Sequence, residues 1–482
     1  MFKFFLFVML ASCSHYSYSM NVIRLHAPII SAAMLENPTD EGSLSLEDRK
    51  LPDAAVGNSY YYDFSKLAVW SGSNQPPTLT WTVKNTLPAG LLFTNNGILE
   101  GVPTEEEKTS FEVLATYEKG EGQRIYTLNV GGVVFGAINI EAGSHHTCAI
   151  TTKNQVVCWG RNDQGQLGDG SFLYRGAPTI VANLSGVAQI AARGSQSCAL
   201  LLSGGVVCWG SNENGQLGNG TTENSAYPVV VNNLQDAKQL TLGSSHACVT
   251  LNSGSVKCWG NNSVGQLGDG SKVSRTTPVF VNGIDNADQV EAGNGHSCAK
   301  TNTGYVKCWG YNLQGQLGDG TSVGKLLPVN VLEVKEVEQI AAGYNHSCAL
   351  LKYGSVSCWG EGRYGQIGNG NKNNASAPSI AQISSKAVRL VAGDHHTCAS
   401  IGSFIECWGR NNYGQLGDDT QRDKAVPVKV AVIDETIDIA AGGSHSCAIL
   451  INKKMMCWGY NWYKQLGDGS NTNKLSPVLV VQ

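Results

Sequence analysis

The chain has 482 residues, a formal net charge of −4 and only 15% charged residues, which leaves no basic footprint for nucleic acid. Its length accommodates two or three domains, and its 57 glycines favour tight turns and short strands over long helices. Beyond the first dozen residues no apolar run is long enough to span a bilayer.

Met1-Phe2-Lys3 is a short charged start, and Phe4 to Ala11 form an apolar core, the pattern of an export signal. The core ends in Leu10-Ala11-Ser12-Cys13, which resembles the lipobox of bacterial lipoproteins. That resemblance implies a signal peptide over 1–13, lipidation of Cys13, and a bacterial cell-envelope address at the outer membrane or cell surface, with the membrane reached through a lipid anchor only. Ordinary cleavage near Ser19 is the alternative and would give a secreted product. Either route exports the chain to a compartment where disulfides persist. Residues 14–50 have little periodicity and end in an acidic-polar run, which reads as a flexible tether.

Residues 51–130 alternate apolar and polar side chains in runs such as Leu79-Thr80-Trp81-Thr82-Val83 and Ser110-Phe111-Glu112-Val113-Leu114, separated by turn clusters. Half-buried strands follow from that pattern. Leu87-Pro88-Ala89-Gly90-Leu91 with Gly97-Ile98-Leu99-Glu100-Gly101-Val102-Pro103 resembles the immunoglobulin-like, cadherin-related modules of bacterial surface proteins. The resemblance implies a small β-sandwich serving as a spacer. The acidic calcium motifs of cadherins are missing, and Glu105-Glu106-Glu107 reads as a solvated turn.

Residues 133–482 repeat. A first cysteine falls at Cys148, Cys198, Cys248, Cys298, Cys348, Cys398 and Cys447, spaced by 50 residues five times and by 49 once. Each unit carries four strand-like pieces, the size of a propeller blade. All seven prolines of the region share one position, from Pro178 to Pro477, which suits a strand start or an edge strand.

Within a unit the two cysteines lie ten apart, except Cys398 and Cys407, which are nine apart. Placing Cys298 opposite Cys308 leaves a three-residue hairpin loop, Asn302-Thr303-Gly304, with glycine at its left-handed last position. Gly204, Gly254 and Gly354 fall at the same place, Asn154 is a substitute, and Lys453 is the departure. The shortened unit leaves Gly402-Ser403, where glycine first is what a two-residue II′ turn requires. Each cysteine pair then falls on a non-hydrogen-bonded site with Cα atoms about 4.5 Å apart, within disulfide range. The expectation is seven cross-strand disulfides: Cys148–Cys158, Cys198–Cys208, Cys248–Cys258, Cys298–Cys308, Cys348–Cys358, Cys398–Cys407 and Cys447–Cys457. Zinc sites or free thiols are the alternatives; ligand pairs usually lie two to four residues apart, and no C-x-x-C motif occurs.

Trp159, Trp209, Trp259, Trp309, Trp359, Trp408 and Trp458 each follow the second cysteine and read as packing residues. His146, His246, His296, His346, His396 and His445 precede the first cysteine by two, with Gln196 in the second unit. Hydrogen bonding to the neighbouring turn is the reading, against a metal-binding ring around a channel. The Asp/Asn-Gly steps are turn residues without the spacing of an EF-hand loop. No G-x-S-x-G, H-E-x-x-H or phosphate loop is found, so no catalytic residue, metal or cofactor is expected.

The recurring G-x-x-H-[ST]-C-A with V-x-C-W-G-x-N-x-x-G-Q-L-G-[DN]-G resembles the regulator of chromosome condensation repeat family over about 350 residues. The resemblance implies an all-β chain with a seven-bladed β-propeller after the small sandwich. Ile367 replaces the leucine of the block in one unit, the last has Lys464-Gln465-Leu466-Gly467, and Arg193, Gln196 and Asp419 are further departures. Nuclear members of the family drive nucleotide exchange on a small GTPase and bind chromatin. An exported, slightly acidic chain should meet neither. Closer in setting are secreted bacterial propellers that inhibit β-lactamases.

Binding specificity is expected where the copies disagree. The last three units place Arg363, Tyr364, Arg410, Tyr413, Trp462 and Tyr463 around the Gly-Gln step, and aromatic and arginine side chains are common interface anchors. The expectation is a non-enzymatic, envelope-anchored scaffold binding a protein or a glycan through one face, with inhibition of a secreted hydrolase such as a β-lactamase as the alternative. Individually exposed aromatics with no shared role remain the plain reading of these residues.

Overall fold

A computed structural model of the chain describes residues 42–481, apart from 53, 56–59, 73–74, 104–106, 132–135 and 434. The export signal, Cys13, most of the expected tether, and Glu105 and Glu106 lie outside the described residues.

The first domain is built from three small sheets. The largest pairs the long hairpin Glu107–Tyr117 and Gly120–Gly131 with Thr80–Lys84 on one side and Ala54–Ala55 on the other. Its alternating positions bury Trp81, Phe111, Val113 and Leu128 against Phe64, Leu67 and Leu99. The domain starts earlier than the alternation pattern indicates. Leu44–Leu46, within the expected tether, forms a strand against Ala68–Trp70 because its two leucines alternate inward. The Leu87–Pro103 motif also finds its reason: the carbonyl of Gly90 accepts from the Val102 amide, and a Cβ on Gly101 would lie 2.3 Å from that oxygen.

The repeats form seven four-stranded antiparallel sheets, each from consecutive strands: 137–180, 187–230, 237–280, 287–330, 337–380, 389–429 and 436–479. In the fourth blade the strands are Ala287–Ala292, His296–Thr301, Val306–Gly310 and Lys325–Asn330, from the central channel outward. The shared proline sits in the outermost strand, where one side has no ladder to satisfy. The partner strand's register shifts between Cys308 and Gly310 there. Among the described residues no strand is exchanged at the ring closure; blade 7 meets blade 1 through the backbone bonds Ala137 N–H to Lys453 O (2.9 Å) and Gly443 N–H to Gly143 O (3.1 Å), and through side chains.

The cysteine hairpin is as the register argument required. Cys298 lies opposite Cys308 and Cys398 opposite Cys407, and all seven expected pairs are bonded with Cα atoms 4.0–4.1 Å apart. Gly304 has φ +78°, and even Lys453, the departure, adopts φ +69°. Seven disulfides place the chain in an oxidising compartment.

What joins blade to blade is a second hydrogen-bonded unit. The Gln266 carbonyl of the G-Q-L-G block accepts from the Trp309 indole N–H and the Ser297 hydroxyl of the next blade, both at 2.9 Å. Since that hydroxyl already donates its proton, it accepts from His246 Nε2, 2.9 Å away. His246 is therefore the Nε2–H tautomer, and its buried Nδ1 has no hydrogen-bond partner among the described residues. The histidines are structural, as expected, but their partner is the neighbouring blade's hydroxyl and not the adjacent turn. Each ring lies over a glycine: a Cβ on Gly243 would come within 2.3 Å of the His246 imidazole. Burial drives the His246 and His296 pKa values down to about 3, with the Arg193 charge adding to the fall.

The second blade departs at two places, and its neighbour at a third, for one reason. Gln196 replaces the histidine and donates to the carbonyls of Gly243 and His246 at 2.9 and 3.1 Å. The next blade accordingly carries Ala247 where other blades have Ser or Thr. With no imidazole overhead, the glycine position accepts Arg193.

Candidate interaction face

The loops joining strands one to two and three to four of every blade emerge at the same end, because the strands alternate in direction. All six anchor candidates lie on this end, in the loops after Gly360, Gly409 and Gly459.

Two clusters form from them. Tyr364 lies between two guanidinium groups, with Arg363 4.6 Å and Arg410 4.9 Å from its ring centroid, and its edge meets His395 at 5.3 Å. Arg363 also bonds Glu361 at 2.7 Å. Burial would raise the Glu361 pKa, but His395, Arg363 and Asn345 outweigh it and hold the carboxyl below the usual range. In the second cluster Tyr413 and Tyr460 meet at 4.7 Å with their rings tilted by 51°, Tyr460 meets Tyr463 at 6.2 Å, and Tyr463 meets His145 at 5.0 Å across the ring closure. Arg161 stands 5.0 Å over Tyr463 while bonded to both oxygens of Asp163. Burial, with Arg161 adding, pushes the His145 ring towards its neutral form. Burial likewise raises Tyr460, with Tyr463 and Tyr413 contributing.

The structure thus groups five of the six candidates and leaves Trp462 apart, 68% exposed and without a ring contact to another described residue. Sequence reasoning missed Tyr460, His145, His395 and Arg161. Their signal was available: Arg161 and Tyr460 fill the variable place after C-W-G, and His145 and His395 the place before the repeated histidine.

The central channel is a cavity of about 590 Å³. No ionisable residues converge along the linear sequence, yet Glu141, Glu291, Arg193, Arg389 and Asp438 meet on the innermost strands. Most are engaged in holding the ring. Gln189, Gln239, Gln289 and Gln339 each pair, through both amide atoms, with the backbone N–H and C=O of the next blade at 2.7–3.0 Å. Arg389 continues this belt to Asp438 at 2.6 Å, and Asp438 accepts from Ile140 N and Asn139 Nδ2 in the first blade. Arg193 crosses the axis to the carbonyls of Ala342 and Ala392 and to Asp394. Burial, reinforced by Asp438, pushes Glu141 up to about 8; burial also raises Glu291 to about 7, against hydrogen bonds from Gln289 and Thr241. Among the described residues no group of three His, Cys, Asp or Glu is placed to hold a metal ion. No helix among them is long and apolar enough to cross a membrane.

Comparison with known proteins agrees with this architecture. Residues 228–482 match the RCC1-like domain, and residues 153–200 and 203–250 match the regulator of chromosome condensation (RCC1) repeat. Residues 47–131 match an Ig domain family. No curated protein matches the sequence. Among solved structures, human WBSCR16 is 22% identical with a TM-score of 0.62, covering 68% of this chain and 94% of that one. Prp20p from Saccharomyces cerevisiae is 22% identical with a TM-score of 0.61, covering 68% and 85%. At that identity the likeness concerns the fold alone. With blades closed by G-Q-L-G carbonyls and an RCC1-like match over more than half its length, the chain belongs to the RCC1-like domain family.

Proposed function

We propose that this protein is an exported, envelope-anchored, non-enzymatic scaffold that binds a partner protein through the aromatic face of blades 5 to 7 and 1. The observation that carries the reading is the pair of Arg–Tyr–His clusters on one end of the propeller. Half-buried rings already held by neighbours lose little freedom on binding, and arginine-flanked tyrosines are strong interface anchors. Lipidation of Cys13 would supply the anchor and the immunoglobulin-like domain the spacer.

The test is cross-linking on intact cells, with mass spectrometry of what the wild-type chain captures. Changing Tyr364, Tyr413 and Tyr463 to alanine together should weaken capture at least tenfold, since each such anchor contributes about 1–2 kcal/mol or more. Unaltered capture would remove the face from consideration. Lipid labelling that persists in Cys13→Ala would remove the anchor. The narrower role of hydrolase inhibitor draws support from the projecting Phe172, Leu173 and Tyr174 beside Tyr463, 46–64% exposed and shaped to enter a cleft. Inhibition of a purified β-lactamase, lost on changing those three residues, would favour it.

A further inference from the structure

On the same end of the propeller, beside the Tyr364 cluster, whose His395 meets Tyr344 at 5.4 Å, blades 3, 4 and 5 form a cavity of about 410 Å³. Its volume lies within the range of small-molecule sites, about 300–1,000 Å³. Tyr311 and Tyr344 form its walls, with Asn294, Asn345, Asn261 and Ser245 around them, and no charged side chain lines it. That neutrality is local. The place of Tyr344 is taken by Asp394 one blade on, and the place of Tyr311 by Glu361 one blade on and Arg161 in the first blade.

The depression exists because Gly295 occupies a position held by Ser245, Asn345 and His395 in neighbouring blades. A Cβ there would lie 3.3 Å from Val264 Cγ2 and 3.4 Å from Tyr311 Cβ. Part of the lining is fixed in advance: Asn261 Oδ1 accepts from the Ser263 amide and hydroxyl and from Gln266 Nε2, and Asn345 Oδ1 accepts from Gln316 Nε2. Other groups remain available. The Asn294 side-chain amide, the Ser245 hydroxyl and both tyrosine hydroxyls make no hydrogen bond to another described residue.

We propose that this cavity binds one or two units of a neutral saccharide. A pyranose presents a C–H face suited to an aromatic wall and rows of hydroxyls that both donate and accept. A carboxamide answers with two donors and an acceptor, and tyrosine and serine hydroxyls serve either way. An anionic sugar finds no cation in the lining, and a long apolar ligand would leave the amides unpaired. The proposal does not rest on the protein-binding reading above, although Tyr344 adjoins that face through His395.

The experiment is saturation-transfer NMR on the full chain with maltotriose, cellotriose and chitotriose, and with sialyllactose as the acidic arm. Transfer to at least one neutral trisaccharide is expected, falling at least fivefold in Tyr311→Ala and in Asn294→Ala. Gly295→Ser restores the side chain found one blade earlier and should weaken binding several-fold in a protein with wild-type near-ultraviolet circular dichroism. Tyr413→Ala should leave it unchanged, which separates this site from the aromatic face. No transfer from any neutral sugar, transfer from the acidic one alone, or transfer insensitive to Tyr311, Asn294 and Gly295 would overturn the proposal.

Discussion

Acid should loosen this propeller through its buried histidines, and one blade already carries the remedy. His296 donates from Nε2 to Ser347 at 2.9 Å, with its pKa pushed down to about 3 by burial, Arg193 and His246. In the unfolded chain the same ring titrates near about 6.5. A depressed folded pKa means that the unfolded state binds the extra proton, so the stability contributed above pH 6.5 is lost as pH falls towards 3. The slope is about 1.4 kcal/mol per pH unit for one ring, hence about 2 kcal/mol at pH 5. Six rings act in this sense, while Glu141 and Glu291, raised to about 8 and about 7, act in the opposite one. The double change His296→Gln with Ser347→Ala copies Gln196 and Ala247, leaving Gln316 its indole donor from Trp359. Denaturant unfolding with disulfides intact, at pH 7.5 and pH 5, compares variant and wild type. The wild type should lose about 2 kcal/mol more than the variant between the two, because the other titrations cancel in the difference. Parallel pH dependence in the two proteins would refute the assignment of the neutral ring.

Three further outcomes can be checked. Replacing Cys298 and Cys308 with alanine should cost about 2–3 kcal/mol by denaturant midpoint, the value of a small closed loop, and less if the local hairpin persists when unfolded. Gly268→Ala should destabilise by more than about 2 kcal/mol, since the residue has φ +69° and a Cβ would lie 2.7 Å from Trp309 Nε1. Arg193→Gly removes a cation that lowers both channel glutamates, so the Glu141 and Glu291 carboxyls should titrate higher by carbon-13 NMR. It should also cost about 1.5–3 kcal/mol in charge-assisted bonds to the Ala342 and Ala392 carbonyls.

The blades were legible because their signal is local. Hairpin register follows from spacing and turn residues, so Cys298–Cys308 and the shortened Cys398–Cys407 are both fixed within a dozen residues of chain. Contacts between blades join residues 31 to 51 apart, and a single repeat does not show which of its side chains turns inward or towards its neighbour. Hence Ser297 reads as part of a motif when it is the hinge between His246 and Gln266. The channel was hidden for a related reason: Glu141, Glu291 and Asp438 sit in different blades at two strand positions, and only ring closure brings them together. The candidate face was half legible. Variable aromatics near the Gly-Gln step were visible, whereas His145 meets Tyr463 only across the first and last blades.

The three departures at the joint of the second and third blades show why the interaction face is free to vary. Arg193, Gln196 and the Ala247 that follows could each look like an isolated lapse from the repeat. In the structure they are one exchange: the imidazole leaves, its hydroxyl acceptor becomes unnecessary, and the glycine beneath it can carry a side chain across the channel. The joint between blades is therefore a small set of buried groups that must change together or not at all. Residues immediately outside that set, such as those before the histidine and after the tryptophan–glycine pair, carry none of this obligation. Most of them are also only half-buried at the propeller end, which is how Tyr, His and Arg can replace Ser, Gly and Asn there while each blade keeps its place in the ring.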